Sequence, residues 1–402
     1  MATVVLLGTL DTKGAEYAFV RERIAAAGAT PLVVDVGVNE PREVTPDVGR
    51  EEVAGAVGAS AATLAADGDR GAAVETMSEG AAVVLRRLYD EGRLDGVLAA
   101  GGSGGSSIAA RAMRALPVGV PKLLVSTMGS GDTRPYVGAT DITMMYSVVD
   151  VAGINRVSGR ILSNAAAAVV GMASTEPPEP PARPTVAATM FGVTTPAVDA
   201  ARERLEAAGY EVLVFHATGT GGQSMENLVS DGFVSGVLDL TTTELCDELV
   251  GGVLSAGPDR LEAAGRAGVP QVVSLGALDM VNFGPRDTVP ERFEDRNLYV
   301  HNPTVTLMRT TPEETAELGR IIAEKLNDAT GPTVLFVPLK GVSMISVEGG
   351  VFHDPEADQA LFSALRDNLA DHVELVELDH AVNDEEFAHA MADRLIELTS
   401  QE

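Results

Sequence analysis

Short apolar runs ending in glycine-, serine- or threonine-rich turns recur along the chain, and most lead into stretches with helical spacing. Thr3 to Gly8 reads as a strand, Thr9 to Lys13 as a loop, and Gly14 to Ala27 as a helix with Tyr17, Val20 and Ile24 on one face. Gly28 stops that helix, and Pro31 to Val36 forms a second strand. Residues 185–216 repeat the layout: strand Thr185 to Phe191, turn Gly192-Val193-Thr194-Thr195, Pro196 at a helix start, Gly209 as its stop, strand Tyr210 to His216.

The echo continues downstream. Asp95-Gly96-Val97-Leu98 corresponds to Ser235-Gly236-Val237-Leu238, and Gly119 to Val125 corresponds to Gly268 to Ser274. Strands alternating with helices at this spacing predict parallel sheets built from βαβ units. The fold class is therefore α/β, with two similar domains over 1–175 and 185–402 and a ligand cleft expected between them. Glu176 to Pro184 is too rich in proline for a helix or central strand and reads as a linker. A helix from Pro312 to Leu326, a strand Thr333 to Val337, a helix near Ala357 to Leu369, a strand Val373 to Leu378 and a helix from Asp384 complete the second domain. Asp279 to Arg309 shows no clear period and reads as a long irregular segment, a type that often carries function.

Composition narrows the function classes. At 402 residues, with 45% apolar and 22% charged positions, the chain can bury a core in each domain. No apolar run reaches membrane-spanning length, and Met1-Ala2-Thr3-Val4-Val5 lacks the positive region of a signal peptide, so a cytoplasmic location is expected. The single cysteine, Cys246, leaves no internal disulfide and no cysteine-based zinc site. A net charge of −29 disfavours nonspecific contact with nucleic acid or anionic lipid. Only Lys13, Lys122, Lys325 and Lys340 are lysines among 29 basic residues, which fits either adaptation to high salt or a GC-rich genome.

Three loops of the first domain fall where open parallel sheets bind ligands, at strand carboxyl ends facing helix N-termini. They are Gly8-Thr9-Leu10-Asp11-Thr12-Lys13-Gly14, Gly101-Gly102-Ser103-Gly104-Gly105-Ser106-Ser107, and Ser126-Thr127-Met128-Gly129-Ser130-Gly131-Asp132-Thr133. Glycines let backbone amides converge on phosphate oxygens and the hydroxyls add contacts. Lys13 supplies a point charge, and Asp11 or Asp132 can hold Mg²⁺ through water. None has P-loop spacing or the dinucleotide fingerprint, and each alone is equally a tight βα turn needing glycine for geometry. Together they point to a phosphorylated ligand. Asp35, ending the second strand, suits a ribose hydroxyl or a cap.

The second domain carries Thr218-Gly219-Thr220-Gly221-Gly222 after His216, and Thr241-Thr242-Thr243 before Glu244 and Asp247. His216, His301 and His380 occupy strand exits, where an imidazole can act as acid, base or phosphate donor. Glu244 and Asp247 share a helix face, either as Mg²⁺ ligands or as a solvated acidic turn. Segment 141–171 joins an apolar stretch studded with polar residues to an alanine-rich helix, which suits close packing in the core or at a subunit interface.

Gly8 to Gly14, Gly101 to Gly105, Ser147-Val148-Val149-Asp150-Val151-Ala152-Gly153-Ile154-Asn155, Met190 to Thr195, Phe215 to Gly222, Gly276 to Gly284 and His301-Asn302-Pro303 through Thr311 together resemble one family. It is the ATP-binding domain family of a plant tobamovirus-resistance protein and its uncharacterised bacterial and archaeal relatives. The resemblance implies two Rossmann-like domains, ATP binding, and a homodimer or higher homo-oligomer; the acidic residues of the loops add Mg²⁺ to the ATP. It supplies no reaction, and the plant member's antiviral role is not carried over. Under this reading Gly8, Thr9, Asp11, Thr12, Lys13, Gly101, Gly102, Ser103, Gly104, Gly105, Ser126, Thr127, Gly131, Asp132, Thr133, Thr218, Gly219, Gly221 and Gly222 hold the nucleotide. His216, Glu244, Asp279, His301 and Arg309 face it and handle a small-molecule second substrate. A nucleotide-responsive regulatory protein that never turns ATP over is the alternative.

Overall fold

The computed structural model describes residues 1–176 and 183–400, so Pro177 to Ala182 of the proline-rich linker lie outside the described residues. The chain divides into two units, Met1–Glu179 and Pro180–Glu402. In the first, β1 (Thr3–Gly8), β2 (Thr30–Asp35), β3 (Gly96–Gly101), β4 (Lys122–Ser126) and β5 (Thr143–Tyr146) form a parallel sheet in the order β2-β1-β3-β4-β5. Val4, Val5, Leu6 and Leu7 are all buried because helices cover both faces, which explains why β1 is a continuous apolar run. Helices Arg50–Gly55, Ala61–Asp67 and Arg70–Asp90 fill the stretch between β2 and β3.

The second unit contains β6 (Thr185–Met190), β7 (Glu211–His216), β8 (Gly236–Thr241), β9 (Gln271–Gly276), β10 (Met280–Phe283), β11 (Leu298–Asn302), β12 (Val305–Arg309), β13 (Thr333–Pro338) and β14 (Glu374–Leu378). Six of these form a parallel sheet ordered β14-β13-β9-β8-β6-β7. The other three form an antiparallel sheet, β10-β12-β11, inside the segment expected to be irregular. These strands are only four or five residues long, and β10 is buried throughout, so it shows no polar alternation to read. Among the described residues no helix is long and apolar enough to cross a membrane.

The duplicated pattern corresponds to duplicated topology. In each unit the second strand lies on one side of the first and the third on the other. Equivalent hydrogen bonds fix the register: Asp95 N to Thr3 O and Ser235 N to Thr185 O, 2.9 and 2.8 Å, and Val97 N to Pro121 O and Val237 N to Pro270 O, 2.8 and 2.9 Å. The strand order therefore reverses between β1 and β3, and again between β6 and β8. Such switch points open a crevice at the strand carboxyl ends.

Tyr17 spans the first crevice. Its hydroxyl accepts from Ala100 N at 2.8 Å and donates to Leu7 O at 2.5 Å, and burial pushes the phenol pKa up. Gly8 has to be glycine, since an added Cβ would lie 2.0 Å from the Tyr17 ring. Tyr17→Phe leaves two backbone groups unpaired in the core. It is expected to lower stability by about 1–3 kcal/mol, read as an earlier urea midpoint.

Candidate functional site

The first crevice opens into a cavity of about 580 Å³, lined by residues of the first unit alone. One wall is the helix Ser103–Arg114, which takes Gly104 and Gly105, expected to be loop, into its first turn. Gly102 occupies the cap position without a side-chain cap, and no acceptor among the described residues takes the amides of Ser103, Gly104 and Gly105. These donors, with the positive end of the helix dipole, face the cavity. Arg70 stands beside them: its Nη2 lies 3.5 Å from where a Gly104 Cβ would be, and it has no ion pair or hydrogen bond among the described residues. Val38, Leu64, Val74 and Met77 line an apolar part of the same cavity.

The first loop is mostly helix. Leu10–Ala26 is assigned helical, with Lys13 out of helical geometry at φ −129°, ψ 26°. Asp35 ties down its start, accepting from Leu10 N at 3.1 Å and Gly37 N at 2.9 Å. It is wholly buried, outside the cavity lining, and acts as a remote cap rather than a ribose ligand. Burial, with Asp11 nearby, raises its pKa. Asp11 lines the cavity and accepts through Oδ2 from Asn39 N and Nδ2, while its buried Oδ1 has no partner. Thr9 and Thr12 share a hydroxyl hydrogen bond of 3.0 Å at the rim, and Lys13 Nζ donates to Val151 O. Gly8 packs on Tyr17, and Gly101 ends β3 under Gly105.

The third loop lies outside the cavity lining. The Ser126 hydroxyl is buried, 2.6 Å from that of Ser106, and accepts from Met128 N. Thr127 sits behind Gly102, while Gly131 and Thr133 belong to the turns that follow. Asp132 is exposed and forms a two-bond ion pair with Arg134, at 2.9 and 2.8 Å, which holds its pKa below the ordinary range. It is not placed to hold a cation for this cavity. Asn39, Arg70 and Asp150 line the cavity without having been singled out from the sequence. Gly68-Asp69 before Arg70 is a helix-start signal that could have located the arginine, since Asp69 caps Arg70–Asp90.

In the second unit the glycine-rich loop after β7 has its anion seat filled from within. Glu244 Oε1 accepts from Gly219 N at 2.7 Å and Gly222 N at 3.0 Å, at the N-terminus of helix Thr220–Ser230. Its Oε2 accepts from Arg260 Nε at 2.7 Å. Arg260, 1% exposed, also pairs with Asp239 and Glu226. The loop expected to hold phosphate thus holds a carboxylate of the same chain, and a Cβ on Gly222 would fall 2.1 Å from it. Gly221 packs on the His216 carbonyl, to which Thr218 N also donates. Burial pushes the Glu244 pKa up against the pull of Arg260.

The remaining candidates are dispersed. Asp279 is fully buried, accepts from Ser343 Oγ at 2.7 Å, and is pushed up to about 6 by burial against the attraction of Arg309. Arg309 is spent on Asp358 at 2.7 Å, Phe352 O at 2.8 Å and the Thr310 hydroxyl at 2.7 Å. Asp247 is buried, not part of a solvated turn. It accepts from Asn282 N and Nδ2 at 2.8 and 2.6 Å, and burial pushes it up to about 7. His216 and His301 are exposed, the first beside the Phe191 ring and the second beside Tyr299.

The raised carboxylates have a measurable consequence. A pKa raised on folding stabilises most below the unfolded value near 4, and that stability is lost as pH rises through the folded value. Asp279 and Asp247 place the loss between about pH 4 and pH 7. Asp247→Asn should flatten the fall in stability from pH 4 to pH 7, by up to ~1.4 kcal/mol per pH unit, in urea titrations of variant against wild type.

Comparisons with known proteins support a family and no more. A UPF0261 protein of Clostridium tetani is 56% identical over 397 residues, covering 98% of each chain. One of Rhizobium meliloti is 50% identical over 392 residues, covering 97% of each. The tomato (Solanum lycopersicum) ToMV resistance protein Tm-1(GCR237) is 46% identical over 338 residues, 82% of this chain but 45% of its own length. Among solved structures, the UDP-GlcNAc 2-epimerase of Neisseria meningitidis aligns over all of both chains at 10% identity and a TM-score of 0.26, too low to bear on fold or ligand. The N-terminal domain model of the uncharacterised protein family UPF0261 matches residues 2–178 and the C-terminal domain model matches residues 183–399, so this chain belongs to the UPF0261 family.

Proposed function

We propose that the cavity of the first unit binds a nucleoside polyphosphate, ATP, as its Mg²⁺ complex. The observation that carries the reading is the uncapped start of Ser103–Arg114, where Gly104 and Gly105 leave the amides uncovered and Arg70 stands unpaired beside them. A phosphate at a helix N-terminus meets aligned N–H donors and a favourable dipole. The apolar wall of Val38, Leu64, Val74 and Met77 suits a base. Asp150, exposed and unpartnered at the cavity rim, fits a hydrated Mg²⁺ better than Asp132, which Arg134 occupies.

Whether a second substrate reacts is a separate matter. A phosphotransferase or ligase acting on a small metabolite needs a free base or acid at the phosphates. Glu244, Asp279 and Arg309 are buried in internal bonds, which favours a nucleotide-responsive binding or regulatory protein. Cytoplasmic residence and a homo-oligomeric state belong to the same proposal.

Calorimetric titration with Mg-ATP is the test, with a 1:1 complex as the expected result and no heat of binding as the result that rejects it. Arg70→Met and Lys13→Met should each weaken binding about 10- to 100-fold, as loss of a charged hydrogen bond does, while Lys340→Met changes nothing. Equal losses at all three lysine and arginine positions would remove the first-unit assignment. Phosphoryl transfer to any member of a metabolite panel would restore the enzymatic reading.

A further inference from the structure

Segment 147–157, between β5 and the helix Ser158–Ala173, is fastened in an unusual way. Its ends are fixed to the body of the unit: Ser147 N donates to Ser126 O at 3.1 Å, and Asn155 N donates to the Ser158 hydroxyl at 2.9 Å. Between them, two side chains of helix Leu10–Ala26 hold it. Lys13 Nζ donates to Val151 O, and Glu16, itself buried, accepts from Gly153 N at 2.5 Å. Lys13 is the residue of that helix whose backbone leaves helical geometry. The segment also contains Val148 at φ +63°, a conformation costly for a β-branched residue, clamped by Ser147 and Val149 bonding each other in both directions at 2.7 Å. Asp150, next to that strained residue, lines the cavity.

We propose that segment 147–157 is a strap that completes the nucleotide site and is ordered by its occupancy, with Lys13 as the link. This rests on the reading of the cavity as a phosphate site. An ammonium has three donors, and the bond to Val151 O leaves two of them for phosphate oxygens. A phosphate bound there draws Lys13 and the strap together instead of competing for it. Mg²⁺ held through water by Asp150 adds a second attachment from the strap itself. Both attachments lie within three residues of the strained turn, on its C-terminal side, so the bound state holds Val148 in place more firmly than the free state does. A strained conformation persists only where its surroundings over-determine it. Val148, Ile154 and Val157 are exposed, beside Tyr146 at the end of β5, so ordering the strap also fixes an apolar surface.

Hydrogen–deuterium exchange on the full chain, with and without Mg-ATP at concentrations set by the calorimetry, tests this. Peptides covering 147–157 should exchange at least several-fold more slowly when nucleotide is bound. Lys13→Met should speed their exchange in the free protein and abolish the protection even at saturating nucleotide. Lys13→Arg, which keeps a donor, should restore both, and its recovery shows that the loss is not a folding defect. Nucleotide binding with unchanged exchange in 147–157 overturns the strap and leaves the binding site standing. Full protection in saturated Lys13→Met overturns the role of Lys13 as the link. No nucleotide binding at all overturns both the strap and the site it rests on.

Discussion

Where β1 and β3 part, the hydroxyl of Tyr17 bridges the two strand ends, donating to Leu7 O and accepting from Ala100 N. Much of the first unit follows from that bond. It draws helix Leu10–Ala26 against the sheet so closely that Gly8 has no room for a side chain. Held there, the helix places Asp11, Thr12 and Lys13 at the cavity rim, while Asp35 fixes the helix start from beneath. The helix Ser103–Arg114 starts on the other side of the same crevice with its amides uncovered. A buried phenol with both its donor and acceptor roles used can hold such a junction rigid.

The two units solve one geometric problem in opposite ways. Both are wound so that the strand order reverses beside the first strand, and each sets a glycine-rich helix start at a strand carboxyl end, after β3 in the first unit and after β7 in the second. In the first unit the seat is open, with the unpaired Arg70 side chain at its edge. In the second, Glu244 sits on the amides and Arg260 locks it against Asp239 and Glu226. Three carboxylates around one guanidinium is an expensive arrangement to bury, and burial raises the Glu244 pKa accordingly. Its geometry is complete nonetheless: both Glu244 oxygens and the guanidinium are bonded within the cluster.

Most strands of the two parallel sheets were legible in the sequence because apolar runs bounded by glycine reflect burial on two faces, and because the second half repeats the first; their order was not, nor was β5. The cavity was legible in part. Gly101 to Gly105 and Asp11 to Lys13 stood out through residue type, but the helix start at Ser103 did not, since Gly104 and Gly105 read as loop by propensity. The hidden three-stranded sheet shows no alternation in β10 because that strand is buried on both sides. The fate of the Thr218 to Gly222 loop was beyond local reading. A glycine-rich helix start looks the same whether its anion arrives from solvent or from Glu244, 22 residues along the chain from Gly222. Arg260 carries no motif at all; only the fold brings it to Asp239.

The fit between Gly222 and Glu244 also limits how this family can change. Any side chain at Gly222 meets the carboxylate at 2.1 Å, and shortening Glu244 alone strands Arg260 beside a void with unmatched donors. Each single step away from the sealed arrangement is a loss before it can be a gain. Opening this seat therefore takes coordinated changes at Glu244 and Arg260 together, and no change at Gly222 alone achieves it.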